Sequence, residues 1–502
     1  MNGLKRLADV LLFIFVGFGN GGLNKAVAQN TAPRFNVLFI AVDDLNTDLS
    51  IYDHPLVKTP NFERLAKRSV QFNRAYCQYP LCNPSRASIL TGLYPDVEGV
   101  YDLKTFFRSN IPEVITLPQL FKNNGYYTAR VGKIFHYGVP GQIGTNGMDD
   151  SVSWNHVVNP KGRDVIEKSK IIRLLPIDLS VSLCYLAAEG KDEEQTDGIG
   201  ASETIKLLGQ QKGNKNPFFI AIGFYRPHTP YVAPKKYFDL YPLDQIRLPE
   251  RAPDSLEDIP DAALWTKPAN WGLSPEKQKE AIRGYYAATS FMDAQVGRVL
   301  DALDSLKLNN QTIIVLWSDH GYNLGEHGQW EKRSLFDKCN RVPFLISVPG
   351  GISGRVSERV VQLVDLYPTL AGLCKLKAPS DLSGLSLEPL LLNPDARWDR
   401  FAYNQVLIAD PRGREITNSL GFTVPDNEGA YSQQDRRMGR SIRTPRWRYT
   451  EWDHGKLGIE LYDEINDPQE FSNLANRKEF SQQVKELSHL LKKHFKEPYT
   501  RK

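Results

Sequence analysis

Asn36 to Val42 reads NVLFIAV, with no polar break after its first residue. A strand with one solvated face alternates apolar and polar positions, so an unbroken run predicts burial on both faces of a parallel sheet. The same texture recurs at Phe218–Phe224 (FFIAIGF), Thr312–Trp317 (TIIVLW) and Phe344–Val348 (FLISV). Between these runs the apolar spacing changes to threes and fours, over Leu117–Asn123 and Arg283–Leu306, which predicts helices. Strands alternating with helices predict a doubly wound α/β sheet covered on both faces. The Pro-rich, acidic stretch Leu248–Ala269 reads as a long surface loop. After about Leu392 the texture shifts. Arg440–Trp452 alternates like a half-exposed antiparallel strand with a break at Thr444-Pro445, Glu460–Glu464 is a partner for it, and Gln482–Phe495 is one amphipathic helix. The expected organisation is a catalytic domain over 33–392 and a small α+β subdomain over 393–502.

The first 28 residues carry a different signal. Lys5 and Arg6 precede the apolar run Val10–Val16, and Ala26-Val27-Ala28 follows it. That order of basic start, short apolar core and A-x-A site predicts a secretory leader. A membrane anchor is the alternative, but the run breaks at Gly17 and falls short of the ~20 residues a span needs. The chain is therefore expected to be exported, to the periplasm or beyond, without stable membrane insertion. Lys and Arg number 62 against 58 Asp and Glu, too even for a nucleic-acid binder that works by charge. Five cysteines are too few for a disulfide scaffold and none forms a C-x-x-C pair, which argues against zinc-ribbon or thioredoxin chemistry.

Candidate chemistry sits where strands end. Asp43-Asp44 follow the first buried run and Asp319-His320 the third, and ligands of open α/β sheets bind at such carboxyl ends. Converging carboxylates repel unless a counter-charge joins them, and an oxygen-rich set suits Ca²⁺ or Mg²⁺ over Zn²⁺. Each pair alone reads equally well as a helix cap; two pairs after two buried strands favour a metal. In Cys82-Asn83-Pro84-Ser85-Arg86, Pro84 and Ser85 are natural helix-start residues, which puts Cys82 at a helix N-terminus where the dipole and Arg86 favour negative charge. Taken alone, Cys82 is either a nucleophile or an ordinary buried thiol.

The run C-N-P-S-R-A-S-I-L-T-G resembles the C-x-P-S-R…L-T-G signature of the type I sulfatases. Asp43-Asp44 and Asp319-His320-Gly321 match that family's two metal pairs, and Glu460–Asp463 through Asn466-Asp467-Pro468 resembles its C-terminal subdomain. Gly132–His136, Pro227-His228, Gly325–Lys332 and Met438–Thr444 are similar to the iduronate-2-sulfatase branch, which polysaccharide sulfatases of marine bacteria also resemble. The resemblance implies an alkaline-phosphatase-like sandwich with a large mixed, mostly parallel sheet. It also implies conversion of Cys82 to Cα-formylglycine by a maturation enzyme that binds transiently. A hydrated formylglycine at 82, beside Ca²⁺ (or Mg²⁺) held by Asp43, Asp44, Cys82, Asp319 and His320, would attack the sulfate sulfur. Arg86 would hold the diol and cation site, Lys133 and Lys332 would neutralise the sulfate, His228 would protonate the leaving oxygen, and His136 would take the proton that releases sulfate. Without the match, His228 is a loop histidine and the two lysines are solvated. Trp330 is a core aromatic or a sugar platform, and His327 shapes the Lys332 loop. The implied substrate is a sulfated polysaccharide or its oligosaccharides, of ulvan or iduronate-2-sulfate type. A phosphonate or phosphodiester hydrolase, and an inactive carbohydrate-binding relative, are the alternatives. Conversion of Cys82 leaves Cys77, Cys184, Cys339 and Cys374, an even number whose pairing the sequence leaves open.

Overall fold

The computed structural model describes residues 34–176, 183–250, 256–408, 415–417, 423–425 and 437–496. The expected leader lies outside the described residues. In chain order the main sheet contains β1 (Asn36–Val42), β2 (Val70–Tyr76), β3 (Tyr127–Gly132), β4 (His156–Val158), β5 (Phe218–Phe224), β6 (Thr312–Ser318), β7 (Arg341–Val342), β8 (Phe344–Ser347) and β9 (Arg355–Gln362). Four neighbours, β6, β1, β5 and β3, run parallel, and β4 extends that set at one edge. On the other side β8 runs antiparallel to both β6 and β2, and β9 lies parallel to β2. β7 and β8 pair with the same strand on either side of Pro343, and the register slips by one residue between them. Pro343 has no N–H to give the ladder, which accounts for the interruption. The sheet is thus mixed and mostly parallel.

Side-chain alternation splits the core in two. Val37, Phe39, Phe219, Ile313, Val315 and Trp317 face one layer, packed by α1 (Cys82–Thr91) and α2 (Leu117–Asn123). Leu38, Ile40, Val42, Ile220, Ile222 and Leu316 face the other, packed by α3 (Thr196–Gln211) and α4 (Pro275–Ser305). The four expected strands and α2 form where the pattern placed them. The expected helix at Arg283 starts earlier, at Pro275, because its first turns (PEKQKE) carry no apolar stripe; Ser274 caps them instead, its hydroxyl accepting from Lys277 N–H at 3.4 Å.

A four-stranded antiparallel sheet, β10 (Ala402–Leu407), β11 (Met438–Arg443), β12 (Trp447–Trp452) and β13 (Ile459–Asp463), closes the fold. α5 (Ser481–Lys496) lays Leu487 and Leu491 on Ile442, Tyr449 and Leu461. The stretch expected as one half-exposed strand is therefore a hairpin turning at Thr444–Arg446, and it is largely buried. Of the stretch expected as a surface loop, residues 251–255 lie outside the described residues, and the part from 256 to 269 is a clasp. Thr266 N–H donates to Gln329 Oε1 at 2.7 Å, Thr266 Oγ1 accepts from Trp330 N–H at 2.9 Å, and Ile259 and Ala263 are buried against the C-terminal sheet.

Candidate active site

In-register pairing decides which side chains meet. Val42 lies opposite Ser318 and Phe224, and Gly132 opposite Gly223. The residues that follow, Asp43-Asp44, Asp319-His320, Tyr225–His228 and Lys133–His136, therefore leave four adjacent parallel strands at one edge of the sheet. α1 points its first turn at the same place. Its N-cap, Leu81, makes no side-chain bond, and Ser85 donates instead to the Asp319 carbonyl.

Arg86 is completely buried and all of its nitrogens are used. Nε donates to Asp319 Oδ2 at 2.8 Å, Nη2 to Asp43 Oδ1 at 3.0 Å, and Nη1 to the carbonyls of Lys133 and Ile134 at 2.7 and 3.0 Å. Lys133 Nζ reaches Asp43 Oδ2 at 2.6 Å, and Lys332 Nζ reaches both Asp44 oxygens at 2.8 and 2.9 Å. Three carboxylates thus meet three buried cations. The repulsion that argued for a metal on charge grounds is already neutralised by Arg86, Lys133 and Lys332. Burial alone would raise the Asp43 pKa, but Lys133 and Arg86 outweigh it and hold the carboxyl well below the usual range. Asp319 behaves oppositely, since burial exceeds the pull of Arg86 and carries it up to about 6.

Cys82 Sγ lies 3.3 Å from His320 Nε2, 3.3 Å from Lys332 Nζ and 3.7 Å from Asp44 Oδ1. Burial would push the thiol up, yet Lys332, Lys133 and His320 together draw it well below its ordinary value. His136 also hydrogen-bonds to Cys82, and burial lowers its pKa to about 4, so its imidazole is neutral at working pH. His228 Nδ1 lies 2.6 Å from the Thr229 carbonyl, which turns Nε2 toward Lys332 Nζ at 3.1 Å and Asp44 Oδ2 at 3.8 Å. His320 is oriented the same way, with Nδ1 2.8 Å from the Gly321 carbonyl and Nε2 facing Asp44 and Cys82. For His320 this leaves Nε2 facing the position of a metal; burial would lower its pKa but Asp319 and Cys82 carry it up to about 9, so a metal there takes the place of the Nε2 proton. Ligand atoms of Asp44, Cys82, Asp319 and His320 lie within 4.8 Å of one another, and so do those of Asp43, Asp44, Cys82 and His228. Every residue expected in the site is therefore brought to one buried cluster.

Several contributors carry no sequence signal. Asp44 adopts φ +61°, a left-handed conformation unusual for a non-glycine residue, and its carbonyl accepts from Tyr285 OH at 2.7 Å. Tyr285 sits on α4, far from any motif, and its hydroxyl also accepts from Asn46 N–H at 2.9 Å. Glu331 is buried beside Lys332, and burial carries it up to about 8, so it does not compete with Asp44 for the ammonium. Trp330 is fully buried with Nε1 on Asn270 Oδ1 at 3.0 Å, which makes it a core residue and removes the sugar-platform reading. His327 stacks on Phe336 at 4.1 Å between centroids and shapes the loop. Cys77, Cys82 and Cys339 are buried free thiols.

Residues 35–376 match the family described as Sulfatase. The chain is 35% identical to human (Homo sapiens) iduronate 2-sulfatase over 503 residues, covering 90% of each chain. It is 33% identical to a sulfatase of Formosa agariphila, covering 93% of this chain and 88% of that one. A phosphonate monoester hydrolase from Silicibacter pomeroyi superposes with a TM-score of 0.73 at 22% identity, covering 92% of this chain and 95% of that one, a likeness of fold. Its mixed sheet between helices, with the small antiparallel sheet at the C-terminus, is the alkaline-phosphatase-like fold of these enzymes. The chain belongs to the sulfatase family and is a sulfuric ester hydrolase.

Proposed function

We propose that this sulfatase is exported and removes sulfate from a sulfated, uronic-acid-containing polysaccharide or its oligosaccharides, of ulvan or glycosaminoglycan type, through a formylglycine made from Cys82. The observation that carries the reading is the convergence on Cys82 Sγ of His320, Lys332, Asp44 and His136 in one buried cluster. Among the described residues no helix is long and apolar enough to cross a membrane.

A divalent cation fits the donor set. Asp43, Asp44, Asp319 and His320 offer carboxylate oxygens and one imidazole lone pair, with position 82 beside them, a mainly hard set that suits Ca²⁺ and admits Mg²⁺. When bound, that ion supplies Lewis acidity toward sulfate and lowers the pKa of a hydroxyl beside it. In this chain Cys82 Sγ stands where a hydroxyl of the hydrated aldehyde would stand. Lys133 and Lys332 bind and neutralise the sulfate oxygens while the hydroxyl at 82 gives its proton to the Asp319 carboxylate, which lies within 4.8 Å of Cys82 Sγ, and its oxygen attacks sulfur. As the sulfur–ester oxygen bond breaks, His228, which must enter the step as the imidazolium with Nδ1 held on the Thr229 carbonyl, delivers the proton on Nε2 to the departing sugar oxygen and is left neutral. His136, buried and neutral, then takes the proton of the remaining hydroxyl; the carbon–oxygen bond to sulfate breaks and the aldehyde returns. Arg86, expected to hold the diol as well as the cation site, spends its nitrogens on Asp43, Asp319 and the Lys133 and Ile134 carbonyls, so only the second of those roles is left to it. It fixes Asp43 and Asp319 and the Lys133 backbone.

The test is peptide mass spectrometry across Cys82 on protein produced with a formylglycine-generating enzyme. The expected result is the mass change of a –CH₂SH group becoming –CHO, together with an aldehyde-reactive adduct. An active protein whose Cys82 remains a thiol would sink this mechanism. The fold likeness to a phosphonate hydrolase keeps one second reading in play, and faster turnover of an aryl phosphonate than of an aryl sulfate would select it.

A further inference from the structure

Away from the catalytic cluster, a cavity of about 620 Å³ opens where α5 meets the main sheet, a volume typical of ligand sites. Gln362, the last residue of β9, and Tyr94, just past the end of α1, both line it. β9 shares the direction of β6 and lies three strand spacings from it, roughly 15 Å along the same carboxyl edge. The ten residues of α1 give a second measure, placing its C-terminal end about 15 Å from Cys82. The cavity is therefore separate from the site of ester cleavage but lies on the same edge of the sheet.

Its chemistry is uneven. One wall is aromatic: His494 stacks on Tyr403 with centroids 3.5 Å apart at 3°, and meets Tyr94 edge-on at 4.8 Å. Burial takes the His494 pKa down to about 3, so this wall adds no charge at neutral pH. Trp398 is half-buried beside it, its ring held by Nε1 donating to the Val360 carbonyl at 3.0 Å. Arg400 and Lys493 are exposed at the cavity, and among the described residues neither forms an ion pair. The two acids there are already engaged. Asp399 pairs with Arg397, and buried Asp365 accepts the backbone N–H groups of Gln362 and Leu385 at 2.9 and 2.8 Å. What remains open is an aromatic surface with two exposed cations, of which Arg400 also feels the buried Asp365 carboxyl while Lys493 has no acid paired with it among the described residues.

We infer that this cavity is a second, non-catalytic carbohydrate site that takes a sulfated or uronic sugar of the same polymer. The aromatic faces receive the apolar face of the ring, and Arg400 and Lys493 receive its anionic group. This rests on reading the substrate as a polymer, and the test keeps the two readings apart. Full-length Cys82→Ala protein, which turns nothing over, is titrated calorimetrically with a heparin-derived hexasaccharide and with its desulfated, carboxyl-reduced counterpart. Adding Arg400→Ala and Lys493→Ala should weaken binding of the anionic hexasaccharide roughly tenfold and leave the neutral one, a weak ligand, unaffected. Trp398→Ala, made separately, should weaken the anionic ligand too. With Cys82 intact, the same substitutions should raise KM on the polymer and leave kcat/KM on p-nitrophenyl sulfate within about twofold. The inference is overturned by no binding in the parent, by unchanged affinity in both variants, by equal affinity for the neutral sugar, or by a parallel loss on the aryl sulfate. Absence of aryl sulfate turnover in the intact protein would instead count against the proposed function, while the binding arms would still decide the cavity.

Discussion

Lys332 joins three other side chains of the cluster, Asp44, Cys82 and His228. It holds both oxygens of Asp44, lies 3.3 Å from Cys82 Sγ and 3.1 Å from His228 Nε2, and is 8% exposed. A fixed cation in so dry a place acts on developing negative charge with little screening, so Lys332→Ala should lower kcat on an aryl sulfate roughly 10²–10³-fold. A variant within about threefold of the parent would take Lys332 out of the charge-neutralising role. His228 has a different signature because only a poor leaving group needs a proton. His228→Ala should cost more on a sugar sulfate than on an aryl sulfate, whose phenolate departs unaided. Equal losses on the two substrates would assign His228 to orientation of Lys332 and not to acid catalysis.

Between residue and domain, the C-terminal hairpin shows how one carboxylate holds three segments. Asp463 ends β13 and accepts from Arg446 in the β11–β12 turn, with Nη2 at 2.6 Å, and from Asn466 Nδ2 at 2.8 Å and Ile465 N–H at 3.2 Å in the following turn. The Arg446 hydrogen bond is the main cause that lowers its pKa to about 2. A carboxyl depressed on folding stabilises the native state above its unfolded pKa and loses that contribution as pH falls through the folded one. Asp463→Asn should therefore cost about 1 kcal/mol at pH 7, a figure kept small because Arg446 is half exposed. The gap to wild type in urea midpoint should stay constant from pH 7 to 5 and narrow steadily below pH 4. A gap that is the same at pH 3 as at pH 7 would mean that packing, not ionisation, carries the effect. The hairpin itself was only half legible: Thr444-Pro445 signalled an interruption, but nothing local distinguished a bulge in one strand from a turn between two. The buried strands were far easier to read, because a run such as NVLFIAV has few ways to satisfy its hydrophobicity other than the centre of a parallel sheet.

For the whole molecule, the site was readable in its residues and unreadable in its charge balance. Asp43, Asp44, Asp319 and His320 stand out because they follow buried strands, and the strand order of β6, β1, β5 and β3 then brings Lys133, His136 and His228 to the same edge. The pairing of three carboxylates with three buried cations depends on distances between segments up to 288 positions apart, and no local pattern encodes it. Nor does one encode the left-handed Asp44 backbone or the Tyr285 hydroxyl beneath it. That balance has a consequence for stability. Carboxylates left bare in a buried site would be costly, and metal-free protein would then be close to unfolding. With Arg86, Lys133 and Lys332 in place the cluster is neutralised by the chain itself. Chelation should therefore abolish turnover while leaving the far-ultraviolet circular dichroism and a cooperative melting transition intact. Returning Ca²⁺ should restore turnover and raise Tm, because a ligand at 100 times its Kd adds about 2.7 kcal/mol to the folded state. Mg²⁺, which demands tighter octahedral geometry, should give a smaller shift at equal concentration. Lys332→Ala makes the argument sharper: without its ammonium on Asp44, the chelated variant should melt well below the chelated parent, and Ca²⁺ should close part of that gap. If the chelated parent loses its tertiary structure at room temperature, the three cations do not suffice and the ion is structural as well as catalytic.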